Sequence, residues 1–143
     1  MDRLKNTKRY INSIMKIVRI YKDLDLSFTP HPGTGDVGMK FDINSVKQSL
    51  RILLLTVNGE RPFNYLVGSP IHKMLFEPID MITANMLESQ ITLLIKQFEP
   101  RCQLEMVEVS PNFDLNQYDI TIRFYVVGTS GPITYSTFLK RAR

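Results

Sequence analysis

The sequence predicts an α+β fold, helices first and an antiparallel meander last, and three observations predict it. Apolar residues recur at helical spacing between Asp42 and Phe98. From Leu104 onward they alternate with polar ones at a period of two. Proline and glycine cluster at the joints between these stretches instead of inside them. At 143 residues, with 43% hydrophobic and 22% charged residues, the chain has room for one core and the composition of a globular domain. Apolar runs such as Ile52-Leu53-Leu54-Leu55 fall far short of the ~18 residues of a membrane span.

Residues 1–22 carry seven Lys/Arg against Asp2 alone, and Lys140, Arg141 and Arg143 crowd the other end, so residues 23–139 are net −5 under a total of +4. A mildly acidic body with two basic ends is not the signature of a uniformly basic nucleic-acid binder. Tyr10, Ile11, Ile14, Ile17, Val18 and Tyr21 stand at helical spacing among Lys8, Arg9, Lys16, Arg19 and Lys22, which predicts a basic amphipathic helix. Four uses compete: docking on its own domain or a partner (the favoured one), a membrane-surface helix, a nucleic-acid arm and an organelle presequence. The expected organisation is an extension over 1–22 and a single domain over 23–143.

Asp23 to Phe41 holds Pro30, Pro32, Gly33, Gly35 and Gly38 and reads as a long irregular connection. A first helix follows, capped by Asp42 or Asn44, with the stripe Val46, Leu50, Leu53, Leu54 and Val57, and closed by Asn58-Gly59. Ser69-Pro70 opens a short second helix through Phe76. Thr83 caps a third, with the stripe Leu87, Ile91, Leu94, Ile95 and Phe98, stopped by Pro100. Leu104–Val109 is a strand closed by Pro111-Asn112; Tyr118–Val126 is a half-buried strand; Ile133–Leu139 is the third, after a turn at Gly128–Pro132. A three-stranded open sheet has two edges, and the last strand, with Thr134, Tyr135, Ser136 and Thr137, is polar enough and extended enough to accept a strand from another protein.

The motifs that carry chemistry are few. Gly33-Thr34-Gly35-Asp36-Val37-Gly38 spells GxGxxG, but without a preceding strand and a following βαβ helix it is a loop, not a dinucleotide cradle. His31 and His72 lie far apart, and Cys102 is alone, so neither a metal site nor a cofactor is expected. No serine or cysteine sits in a nucleophile elbow, and Cys102 reads as a small buried hydrophobe. Glu60, Glu77, Asp80 and Glu99 all fall at helix ends or turns. A glycosidase needs a carboxyl with a raised pKa. Glu60 is followed by Arg61, and Glu99 by Arg101 across Pro100, and a guanidinium favours the ionised form. These pairs read as ion-pair anchors on backbone pinned by Pro62 and Pro100, with ordinary surface salt bridges as the plainer alternative.

Gly59-Glu60-Arg61-Pro62-Phe63 with Gly68, then Leu75-Phe76-Glu77-Pro78 with Thr83-Ala84, then Phe98-Glu99-Pro100-Arg101 occur in an ordered series. In these blocks the chain resembles the small baseplate wedge subunits of contractile-tailed bacteriophages, whose relatives sit in type VI secretion and contractile-bacteriocin baseplates. Tyr65 and Met81 depart from prolines common in that family, and residues 1–20 lie largely outside the resemblance. The resemblance implies a structural protein of the virion tail baseplate, assembled in the host cytoplasm and arranged in a six-fold ring. It implies that Glu99, Pro100 and Arg101, with Glu60 and Arg61, hold the wedge proteins of a helical core bundle. The strand bearing Ile133, Tyr135, Thr137 and Leu139 would pair with the tail sheath protein, and the tail tube or hub is a further candidate contact. No nucleic acid, membrane or cofactor is implied. A lysozyme label is attached to some members, which leaves a peptidoglycan-cleaving muramidase as the alternative function.

Overall fold

In the computed structural model, residues 20–142 are described. The expected basic amphipathic helix within residues 1–22 lies outside them as far as residue 19; at its end Tyr21 is not helical and Lys22 stands in a strand. The chain divides into two compact units at Asp42/Ile43.

In the first unit, residues 23–41 are not the irregular connection the proline and glycine content suggests. Strand β1 (Lys22–Leu24) pairs antiparallel with β2 (Met39–Phe41). An isolated bridge joins Pro30 to Val37, and His31 N–H donates to the Asp36 carbonyl at 2.7 Å. Strands three residues long leave too few alternations for a sequence pattern to register. The GxGxxG stretch is the tip of this hairpin, with Gly35 at φ 68°. At the far end, Asp42 Oδ1 accepts from the Ile20 and Tyr21 N–H groups at 2.9 and 3.1 Å.

The second unit is helices and then sheet. Helix α1 (Asp42–Leu55) buries Val46, Leu50, Leu53 and Leu54, and ends ahead of Val57, which is exposed. The chain then turns through Asn58-Gly59, with Gly59 at φ 84°. Helix α2 is only Ile71–Met74, shorter than expected, with Ser69 Oγ accepting from Ile71 N–H at 3.1 Å. Helix α3 (Met81–Phe98) starts before Thr83: Asp80 is the N-cap, its Oδ1 accepting from Thr83 N–H at 2.6 Å, and Thr83 is buried inside the helix. Its inner face is Ala84, Leu87, Ile91, Leu94 and Ile95.

The sheet has the order β3-β4-β5, all antiparallel, with β3 Cys102–Asn112, β4 Gln117–Val126 and β5 Ile133–Lys140. Strand β3 is longer than Leu104–Val109. Pro111 does not close it but pairs with Tyr118, which is tolerated because β3 is an edge strand. The register slips between Leu104 and Met106, leaving Glu105 as a bulge. Helix α3 packs on β3, and the central strand turns Tyr118, Ile120, Ile122, Phe124 and Val126 into the helix layer, each at most 1% exposed. The Tyr118 hydroxyl donates to the Pro78 carbonyl at 3.2 Å and accepts from Asp80 N–H at 3.4 Å, tying the start of α3 to the sheet. No helix among the described residues is long and apolar enough to cross a membrane.

Candidate partner-binding surfaces

Three surfaces of the second unit carry the residues that the sequence singles out. The first is the turn after α3. Glu99 closes the helix as its C-cap and is 2% exposed, Pro100 is exposed, and Arg101 leads into β3. The guanidinium folds back over the proline: Arg101 Nε donates to Glu99 Oε1 at 2.7 Å and Nη2 donates to Oε2 at 2.9 Å, a two-pronged pair. Burial pushes the Glu99 carboxyl up, but hydrogen bonds from Arg101 and Ser49 and the Arg101 charge outweigh it, and the group stays below its ordinary range. Arg101 Nη1 reaches Ser45 Oγ at 3.2 Å.

Ser45 and Ser49, one helical turn apart on α1, therefore cradle the pair. Sequence reasoning missed both. The signal available was two serines at i, i+4 beside the apolar stripe of Val46, Leu50 and Leu53, a place where a hydroxyl needs a polar partner.

The second surface is the loop between α1 and α2. Glu60 does not pair with its neighbour Arg61; its Oε2 accepts from Val57 N–H at 2.9 Å and closes the loop on itself. Gly68 sits at φ 144°, where a Cβ would lie 2.6 Å from the Val57 carbonyl oxygen, so only glycine lets the two backbone stretches meet. Between these ties the loop carries Phe63 at φ 67° and 99% exposed, with Tyr65 and Leu66 also exposed. Arg61 lines a cleft of about 150 Å³ together with Ser49, Val67 and Phe98. This cleft brings the loop and the Glu99–Arg101 turn to one region of the surface. A bulky aromatic held at positive φ and turned into solvent stores strain without burying apolar area.

The third surface is the edge of β5. Ile133, Tyr135 and Thr137 are half-buried and Leu139 is buried on the face toward the helices; Thr134, Ser136, Phe138 and Lys140 face the other way. Among the described residues β5 has a ladder partner on one side only, β4. A groove of about 450 Å³ runs between β5 and Arg51, Leu54 and Leu55 of α1.

The other candidates have structural roles. Cys102 is buried, and desolvation together with the Glu99 charge pushes its thiol up to about 12. The Asp80 carboxyl is held low by the Thr83 N–H it caps. Glu77 is exposed; its carbonyl accepts from Arg141 Nε at 3.0 Å, which ties down Arg141.

Residues 42–130 match the family described as baseplate wedge protein gp25. The chain is 31% identical over 111 residues to the baseplate wedge protein gp25 of Enterobacteria phage T4, spanning 78% of this chain and 83% of that one. Among solved structures, a protein of Geobacter sulfurreducens described as a proposed tail lysozyme superposes with a TM-score of 0.63 at 26% identity, over 68% of this chain and 89% of that one. A chain of the six-fold symmetrised anti-feeding prophage baseplate gives 0.59 at 24% identity, over 86% of each chain. A chain of the post-contraction pyocin R2 baseplate shares the fold at 18% identity and a TM-score of 0.50, over 83% of this chain and 99% of that one. The matched span begins at the first residue of α1 and takes in α2, α3, β3 and β4, and with them the Glu99–Arg101 turn and the Phe63 loop. The chain belongs to the gp25 family of baseplate wedge proteins, structural components of the baseplates of contractile tails.

Proposed function

We propose that this wedge protein is the platform on which the tail sheath starts. The Glu99-Pro100-Arg101 turn and the Glu60–Gly68 loop anchor it to neighbouring wedge proteins, and β5 offers its edge to an incoming sheath strand. Residues 23–143 form the working domain, and residues 1–22 an extension.

The observation that carries the reading is the difference between the two edges of one sheet. Strand β3 is blunted by the Glu105 bulge, by Pro111 and by the exposed charges of Glu105 and Glu108. Strand β5 has none of these from Ile133 to Leu139: no proline, no charge and an unbroken register. An edge left bare among the described residues while its counterpart is protected is suited to strand addition, in which backbone hydrogen bonds supply affinity and alternate side chains supply specificity. Several copies held in a ring would present such edges at fixed spacing and remove the need for chance nucleation.

The anchor reading rests on rigidity. Glu99 fixes Arg101, so the exposed Pro100 and the part-exposed guanidinium meet a partner already ordered. A muramidase reading has less behind it. Glu99 is held ionised, the wrong state for a general acid, and Glu60 is occupied by the Val57 N–H.

The test is co-expression with the wedge and sheath proteins of the same tail, followed by affinity purification. Wild type is expected to carry the wedge proteins with it and to support sheathed tails. A proline at a residue of Ile133–Leu139 whose N–H points away from β4 leaves the fold intact and is expected to give baseplates without sheath. Sheathed tails from that variant overturn the platform role, and wild type purifying alone overturns the anchor.

A further inference from the structure

We propose that the groove beside β5 selects the strand that adds there, taking apolar side chains against Leu54 and Leu55 and one carboxylate onto Arg51. This rests on the reading of β5 as an acceptor edge and goes beyond it by stating what the incoming strand must carry.

Burial changes row by row across the sheet. Phe124, Ile122 and Ile120 of β4 are at most 1% exposed, yet their register partners on β5, Ile133, Tyr135 and Thr137, are only half-buried. The helix layer thus covers β4 and stops short over β5. Helix α1 stands off from β5 across about 450 Å³ of open groove. An added strand lies roughly 4.8 Å further out, and every second side chain on it points to the same face as Tyr135 and Thr137. Those side chains continue the rows Phe124–Ile133, Ile122–Tyr135 and Ile120–Thr137 into the groove.

What they meet there is defined. Leu54 is buried at the floor, and Leu55, 49% exposed, forms the wall, an apolar surface that nothing on the sheet covers. Arg51, one turn earlier on the same helix, is exposed, is the single charged side chain lining the groove, and has no ion pair among the described residues. A strand adding here therefore gains by facing the groove with apolar residues and one Asp or Glu, while a Lys or Arg at that position meets a like charge. Because Ile133–Leu139 carries no charge of its own, backbone pairing alone leaves the register loosely set. Arg51 supplies the missing register mark, since a slip by two residues takes the carboxylate out of its reach.

The test uses the full chain with a guest strand fused after Arg143 on a flexible Gly/Ser linker, so that addition is intramolecular. The guest alternates Val and Thr, with Glu, Ala or Lys placed at each groove-facing position in turn. Hydrogen exchange of the β5 amides is the readout. The expected result is one Glu position that protects those amides about tenfold better than Lys at the same place, the discrimination of a single charge-assisted contact. Arg51→Glu, on an exposed helix face and so without effect on folding, is expected to reverse the order. Equal protection by Glu, Ala and Lys guests, or no change on Arg51→Glu, overturns the groove assignment and leaves the edge reading standing. If no guest protects any β5 amide, both fall.

Discussion

Arg101 and Glu99 meet across a single proline, with Nε to Oε1 at 2.7 Å and Nη2 to Oε2 at 2.9 Å, and the carboxylate they share is 2% exposed. A buried carboxylate is stable only while paired, so the pair fixes the turn that follows α3. Removing one partner from such a pair costs about 3 kcal/mol, because the other is left uncompensated. Glu99→Gln is accordingly expected to lower stability at neutral pH. The folded-state pKa of Glu99 is depressed. Its contribution is therefore complete above the ordinary carboxyl value of 4.5 and is lost as pH falls through the depressed value. Urea unfolding of both proteins against pH should show a gap that is constant near neutrality and closes in acid.

The serines under the pair make a second prediction. Ser45 accepts from Arg101 Nη1 at 3.2 Å, and Ser49 donates to Glu99. Ser49→Ala removes a hydrogen bond to a charged group, worth roughly 1.5–3 kcal/mol. The expected loss shrinks in a Glu99→Gln background, to the roughly 0.5–1.5 kcal/mol of a neutral hydrogen bond, since the charge that strengthens the bond is gone. A double-mutant cycle measured by denaturant unfolding gives the coupling directly.

Gly68 predicts the largest single loss from a small change. At φ 144°, with the Val57 carbonyl oxygen 2.6 Å from where a Cβ would be, alanine forces one backbone away from another. Gly68→Ala is expected to cost about 3 kcal/mol or more, whereas Gly59→Ala, at φ 84° with open space around it, costs about 1 kcal/mol. Thermal melts of the two variants should separate clearly.

How much of this was legible follows from the range over which each signal acts. The α3 stripe and the β4 alternation read correctly because each repeats many times within one element. The start of α3 did not, because Asp80 and Thr83 are both capping residues and only the geometry shows that the Asp80 side chain accepts from Thr83. In β3 the Glu105 bulge reverses the phase of burial, from Cys102 and Leu104 inward to Val107 and Val109 inward, which hides the strand's full length from a strict period of two. The Glu99–Arg101 pair was legible from two residues of spacing. Ser45, Ser49 and Arg51 were not: the serines' partners lie across the fold at the turn after α3, and the groove that Arg51 lines is completed by β5.

Cys102 gives a direct probe of how tightly the helix layer closes on the start of β3. Its thiol is buried and pushed up to about 12, so at pH 8 almost none is thiolate. Iodoacetamide is expected to leave the native protein unmodified and to label it at once in denaturant. A native-state labelling rate that rises in Glu99→Gln would report opening of the turn beside it.

The unequal edges of the sheet make the last prediction. If the Glu105 bulge and Pro111 are what keep β3 from pairing, removing them should turn one bare edge into two. A chain with Glu105 deleted and Pro111→Thr would then offer β3 to β5 of the next copy. A pairing of that kind is head-to-tail, so it builds rings or filaments of several copies and not a two-fold dimer. Sedimentation velocity is expected to show wild type as a discrete species and the variant as a concentration-dependent polymer. Adding a proline on the outward ladder of β5 to that same variant should abolish the polymer, because growth needs both edges. A polymer that survives the β5 proline would mean that copies associate through some other surface, such as the exposed row Ile82, Met86 and Leu93 on α3.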